Sequence, residues 1–111
     1  MNTIPRWYHL HVYFDHTTSE IAAEVRDHLA RSSLSFPYLG RLIPRAVGPH
    51  DGPMFEAHVS ADELDEALAL LEHVRGPLSV LVHPVVEDEL AAHSELAQWL
   101  GDPKPVHLDR L

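Results

Sequence analysis

Trp7-Tyr8-His9-Leu10-His11-Val12-Tyr13-Phe14 is the stretch whose reading decides the fold. It is rich in aromatic residues, and Leu10, Val12 and Phe14 alternate with His9, His11 and Tyr13, which predicts a strand with one apolar and one polar face. A strand of this kind needs a sheet around it and a layer over its apolar side. The following residues supply both. Thr17-Thr18-Ser19-Glu20 fits a capping box, and Ile21, Ala22, Val25 and Leu29 mark one side of a helix reaching about Arg31. Tyr38 to Val47 reads as a second strand, weakened by Pro44, and Gly48-Pro49-His50-Asp51-Gly52-Pro53 as a connecting loop. Met54 to Val59 alternates again, with Phe55, Ala57 and Val59 opposing Glu56 and His58.

Ser60-Ala61-Asp62-Glu63 offers another capping box, before Leu64, Ala67, Leu68, Leu71 and Val74 at helical spacing. Leu78 to His83 is a fourth strand, stopped by Pro84. Glu87-Asp88-Glu89 opens an expected C-terminal helix that runs to Gly101, and the tail with Pro103 and Pro105 reads as irregular. The fold class expected is α+β: a ferredoxin-like βαββαβ antiparallel sheet with helices on one face and an added C-terminal helix. At 111 residues, the whole of 1–111 reads as a single domain with one core.

Strand parity then sorts the chemistry. Leu10, Val12, Phe14, Phe55, Ala57, Val59, Val80 and Val82 belong under the helices, and His9, His11, Tyr13, Glu56, His58, Leu81 and His83 on the opposite, open face. In this topology the first strand is central and the end of the fourth lies beside its start, so His83 comes near His9 and His11. Imidazoles with a carboxylate are the ligand types of zinc, copper and non-haem iron. A lone His-x-His is equally compatible with an amphipathic surface strand, and His83 alone with a capped strand-end histidine. His50 has no place in the idealised sheet unless its loop folds back or a second subunit supplies it.

Composition narrows the alternatives. Seventeen acidic residues against eight Lys plus Arg give a net charge of -9, which repels phosphate backbones and anionic membrane surfaces, so neither nucleic acid nor membrane is an expected partner. No apolar run approaches the roughly 18 to 20 residues that span a bilayer, and Met1-Asn2-Thr3-Ile4-Pro5 lacks a basic-then-apolar signal pattern, giving the expectation of a soluble, cytoplasmic protein. Zero cysteines remove thiolate chemistry, whereas ten histidines outnumber all Lys plus Arg. Nucleotide-binding glycine loops, Gly-x-Ser-x-Gly and His-Glu-x-x-His are all missing.

The runs His9-Leu10-His11-Val12-Tyr13-Phe14-Asp15, Gly40-Arg41, Val47-Gly48-Pro49-His50, Met54-Phe55-Glu56, Leu78-Ser79-Val80-Leu81-Val82-His83-Pro84 and Trp99-Leu100-Gly101 occur in this order in the small DOPA 4,5-dioxygenase family, which the chain resembles from about Tyr8 to Asp109. The resemblance implies extradiol opening of the ring of DOPA or a related small catechol with dioxygen, in a homodimer. The cofactor it implies is Fe(II), with zinc or another divalent metal able to replace it on isolation. His11, His50 and His83 fall on the family's histidine motifs and are the expected ligands; His9 and His93 fall on motif positions suited to proton transfer. From residue chemistry alone, Glu56 is open to three roles, a metal ligand, a partner that orients a histidine or a charge at a dimer contact; Arg41 reads as a bidentate contact to a substrate carboxylate or a surface salt bridge, and Tyr13 as a substrate contact. Where relatives carry a histidine after Gly-Arg, this chain has Leu42-Ile43; Val85-Val86-Glu87-Asp88 replaces Asn-Thr-Gly-Asp, and Ala92-His93 an Asp-His pair. The rival from another class is a non-catalytic dimeric α/β module that binds a metal or small ligand on its open sheet face.

Overall fold

The structure, a computed structural model, describes residues 4–111. Met1 to Thr3, part of the N-terminal segment considered for a signal, lie outside the described residues. The element order is β1 (Trp7–Tyr13), α1 (Ser19–Arg31), β2 (Tyr38–Leu39), β3 (Met54–Ser60), a 3₁₀ turn (Ala61–Glu63), α2 (Leu64–Val74), β4 (Val80–Pro84), α3 (Glu89–Ala92), β5 (Gln98–Leu100) and a closing 3₁₀ turn (Leu108–Arg110). The five strands form one antiparallel sheet in the order β2-β3-β1-β4-β5. No helix of the described residues is long and apolar enough to cross a membrane.

The alternation of β1 does what its pattern requires. Leu10 and Val12 are fully buried with Phe55, Ala57 and Val59 of β3 and Val80 and Val82 of β4, under Ala22, Val25 and Leu29 of α1 and Ala67 and Leu71 of α2. Burying a side chain of this kind stabilises by about 1.5 to 3 kcal/mol, so this layer fixes the register of the whole sheet. Register in turn fixes the polar face: His9 pairs with His58 on one side and His83 on the other, and His11 with Glu56 and Leu81.

Neither capping box forms. The loop before α1 is organised by Asp15, whose Oδ1 accepts from the Thr17 amide at 2.8 Å while its own amide donates to Thr18 Oγ1 at 2.9 Å; Thr18 and Ser60 make no side-chain cap. The second strand is shorter than the expected Tyr38 to Val47: only Tyr38 and Leu39 pair with β3, and one bridge joins Ile43 to Met54. Pro44 has no amide to donate, which ends the ladder there.

The expected C-terminal helix is replaced by one short turn and a strand. Asp88 Oδ1 accepts from the Ala91 amide at 3.0 Å and opens α3, but the Ser94 hydroxyl donates to the Leu90 carbonyl, and the Leu96 amide folds back to Ala91 O at 2.9 Å. Gln98–Leu100 then pairs with Val82–Val80 and covers the unpaired edge of β4, which satisfies backbone groups a helix would have left exposed. Gly101 turns the chain out of β5 at φ +76°. Gly101→Ala is expected to destabilise the protein by about 1 to 2 kcal/mol, because a Cβ there disfavours that φ and meets Arg75 Nη1 at 2.6 Å; chemical denaturation measures the loss.

The face expected to be open is partly roofed. Tyr13, Met54 and Leu81 are buried beneath Ile43, Val47, Ala97, Trp99 and Val106, supplied by the loop before β3 and the C-terminal segment. The histidines lie beside this roof.

Candidate metal centre

His9 and His11 stand on β1, Glu56 and His58 on β3, and His83 at the end of β4, all on the face away from the helices. His50 joins them because its loop folds back in the same chain. The His107 amide donates to the Pro49 carbonyl at 2.7 Å, His50 bridges Val106, and His107 Nε2 meets Asp51 at 2.8 Å. The tail that reads as irregular is thus the clamp that seats His50, whose ring lies 4.1 Å from that of His11. His93, just past α3, brings its ring to 4.2 Å from His83 and 6.2 Å from His50.

Burial sets the protonation of this cluster. His11, His50 and His83 are 2%, 5% and 4% exposed. Desolvation, then repulsion from neighbouring imidazoles, holds His11 well below the usual histidine range. Burial pushes His50 and His83 down to about 4, and desolvation followed by repulsion from His58 lowers His9. These rings are therefore neutral at pH 7, the form that offers a lone pair to a metal. Burial, reinforced by Asp51, raises the Tyr13 phenol, so it stays protonated while it hydrogen-bonds His50 Nδ1 at 2.6 Å.

Tautomers follow from the partners. His83 Nδ1–H donates to the Pro84 carbonyl at 3.0 Å, which leaves its Nε2 bare in the neutral ring. That bare nitrogen is 3.0 Å from His11 Nε2. If His11 carries its proton on Nε2, its buried Nδ1, which has no hydrogen-bond partner, turns a lone pair toward Glu56 Oε1 at 3.6 Å. If the proton is on Nδ1, two lone pairs face each other across 3.0 Å. Each arrangement leaves one repulsive contact, and a cation between the two nitrogens removes it. His93 Nδ1 donates to the Glu89 carbonyl at 2.8 Å, which turns Nε2 toward the cluster's chemistry in the same way.

Two groups of three imidazoles bring their donor atoms within 4.8 Å of one another: His9, His11 and His83, and His11, His50 and His93. The expected trio His11, His50 and His83 spans both, with His11 common to them, and His93, expected to move protons, stands among the donors as well. His9, Glu56 and His58 form a third group, in which Glu56 hydrogen-bonds His58 and lies 3.8 Å from His9 Nδ1. The donor set suits iron or zinc, which take imidazole and carboxylate together.

His9, His11, His50, His83 and His93 line a cavity of about 310 Å³ with Glu56, Pro84, Val85, Val86, Glu89 and Arg110. Arg41 is exposed at the end of β2 and does not line it; an arginine beside an edge strand does not reach past β3 into the cluster. Tyr13 acts from behind, through His50, and lines a separate cavity of about 410 Å³. Arg110 gave no signal in the sequence, because only the folding of the tail brings it to the site.

A DOPA 4,5-dioxygenase of Amanita muscaria is 30% identical over 115 residues, covering 97% of this chain and 50% of that protein. An uncharacterized 21.2 kDa protein of Botryotinia fuckeliana is 31% identical over 109 residues, covering 89% of this chain and 60% of that one. The chain thus spans about half the length of the curated relatives it matches. A crystal structure from Nostoc punctiforme, provisionally described as a dioxygenase, superposes with a TM-score of 0.86 at 30% identity, covering 95% of this chain and 90% of that one. The pattern of the Dopa 4,5-dioxygenase family matches residues 8–110, which include every histidine of the cluster, and this chain belongs to that family.

Proposed function

We propose that the protein is a metal-dependent extradiol dioxygenase that opens the ring of DOPA or a related small catechol. The observation that carries this reading is the convergence of buried imidazoles on His11: its Nε2 lies 3.0 Å from His83 Nε2, and its buried Nδ1 has no hydrogen-bond partner. His11 and His83 would hold the ion, with His50 completing the set, which leaves His9 and His93 for the protons. Ferrous iron held there would supply open coordination positions and redox chemistry, which is what a catechol needs to react with dioxygen.

The remaining chemistry belongs to side chains. His9, neutral and part-exposed in the cavity wall, can take a proton from a catechol hydroxyl and return it, work that commonly contributes about 100 to 10,000-fold. Glu56, between His9 and His58, stabilises the imidazolium that results. Val85, Val86 and Ala92 give the aromatic ring an apolar wall and limit water. A homodimer, a cytoplasmic setting and a ferredoxin-like core extended by β5 belong to the same reading.

The test is oxygen uptake. Anaerobically purified protein loaded with Fe(II) is expected to consume about one dioxygen per DOPA and to form a yellow product, and chelation should abolish both. Tight metal binding without oxygen uptake across a catechol panel would instead establish the binding module.

A further inference from the structure

We propose that Arg110 is the carboxylate-binding residue of the histidine cavity, so that the site prefers aromatic substrates bearing a carboxylate. Of the eight Lys and Arg residues of the chain, Arg110 alone lines that cavity. Three other arginines are engaged: Arg26 donates to the Leu39 and Gly40 carbonyls, Arg31 pairs with Asp27, and Arg75 pairs with Glu72. Arg110 is exposed and makes no side-chain hydrogen bond or ion pair among the described residues. A guanidinium forks two N–H groups toward one planar anion, and a carboxylate is the matching group.

Its position is set by the clamp that seats His50. The Arg110 amide donates to the His107 carbonyl at 2.9 Å, and the His107 amide to Pro49. The Arg110 backbone and the His50 backbone are thus carried by segments tied to each other, so the point from which the guanidinium reaches into the cavity is a property of the fold. Electrostatics gives the cation its use: the chain carries a net charge of -9, and Glu56 and Glu89 stand in the same cavity wall. An anionic substrate entering there is repelled by Glu56 and Glu89, and Arg110 is the one Lys or Arg of that wall to offset them.

The turnover arm of the test rests on the dioxygenase reading; the binding arm does not. Wild type, Arg110→Ala and Arg110→Lys are compared on DOPA and on dopamine, which keeps the catechol and the amine but lacks the carboxylate. Removing one charged bidentate contact of about 1.5 to 3 kcal/mol lowers the ratio of kcat/KM for DOPA over dopamine by about 10 to 100-fold in Arg110→Ala, mainly through KM. Lysine restores part of it, since a point charge keeps the attraction and loses the fork. A ratio in Arg110→Ala equal to that of wild type, or a wild type indifferent to the carboxylate, overturns the proposal. If no protein consumes oxygen, the dioxygenase reading fails and anaerobic calorimetry with the same two compounds decides. Preference for DOPA lost in Arg110→Ala then supports the proposal, and equal binding or none overturns it.

Discussion

His11→Ala is expected to strip the metal and abolish oxygen uptake while leaving a folded protein. His11 is the one residue shared by both imidazole groups, so no regrouping of His9, His50, His83 and His93 replaces it without moving a strand or a loop. Structural zinc held by four protein ligands gains about 10 to 16 kcal/mol at neutral pH, and on that scale one imidazole accounts for roughly 3 kcal/mol, or about 100-fold in affinity. The fold survives because His11 faces away from the helical layer that fixes the register, and because its Nδ1 has no hydrogen bond to lose. Metal content after gel filtration, read beside circular dichroism, checks both parts. His28→Ala, on the outer side of α1, is the control that should keep its metal. Full metal content in His11→Ala would remove the basis of the site.

Much of that site is legible in β1 alone. Leu10 and Val12 must go under the helices, so His9 and His11 must go to the other face, and the antiparallel neighbours of a central strand deliver Glu56, His58 and His83 to the same place. Periodicity carries this far because burial repeats along a strand. It carries no information on segments without regular structure. His50 is seated by Pro49, Asp51, Val106 and His107, contacts that join residues more than fifty positions apart through loop backbone. No local pattern announces them.

The C-terminal segment shows the opposite failure, in which a pattern is present and a competing demand overrides it. Leu90, Leu96 and Trp99 suit a helix face, but the outer edge of β4 needs partners, and Gln98–Leu100 as a strand supplies them while turning Trp99 onto Tyr13 at 5.7 Å between ring centres. Arg41 and Arg110 illustrate the same limit. Arg41 stands in Leu39-Gly40-Arg41-Leu42-Ile43 and Arg110 in Leu108-Asp109-Arg110-Leu111, and only the path of the tail decides which one reaches the histidines.

The metal-free protein should lose stability steeply as pH falls from about 6.5 to about 4. His50 and His83 titrate near 4 in the folded chain and near 6.5 when unfolded, because burial disfavours the imidazolium. Within that window the unfolded chain binds protons that the folded chain refuses, so unfolding becomes easier with every step toward acid. Above the window both states are neutral at these positions and the contribution is flat; below it both are charged and the loss has reached its limit. A displacement of about 2.5 pH units amounts to at most about 3.4 kcal/mol per histidine, and His11, held lower by the same burial, adds in the same direction. Against the 5 to 15 kcal/mol that holds a typical domain together, this is enough to unfold the protein in mild acid. Urea midpoints of chelated protein at intervals from pH 7.5 to 4 measure the slope, and His83→Gln should reduce it, since a neutral amide neither gains nor refuses a proton. Saturating divalent metal should move the decline to lower pH, because the ion competes with protons for the same nitrogens only in the folded state. A midpoint that stays level from pH 7 to 4.5 would show that these imidazoles are solvated, and that the cluster described around His11 does not persist in solution.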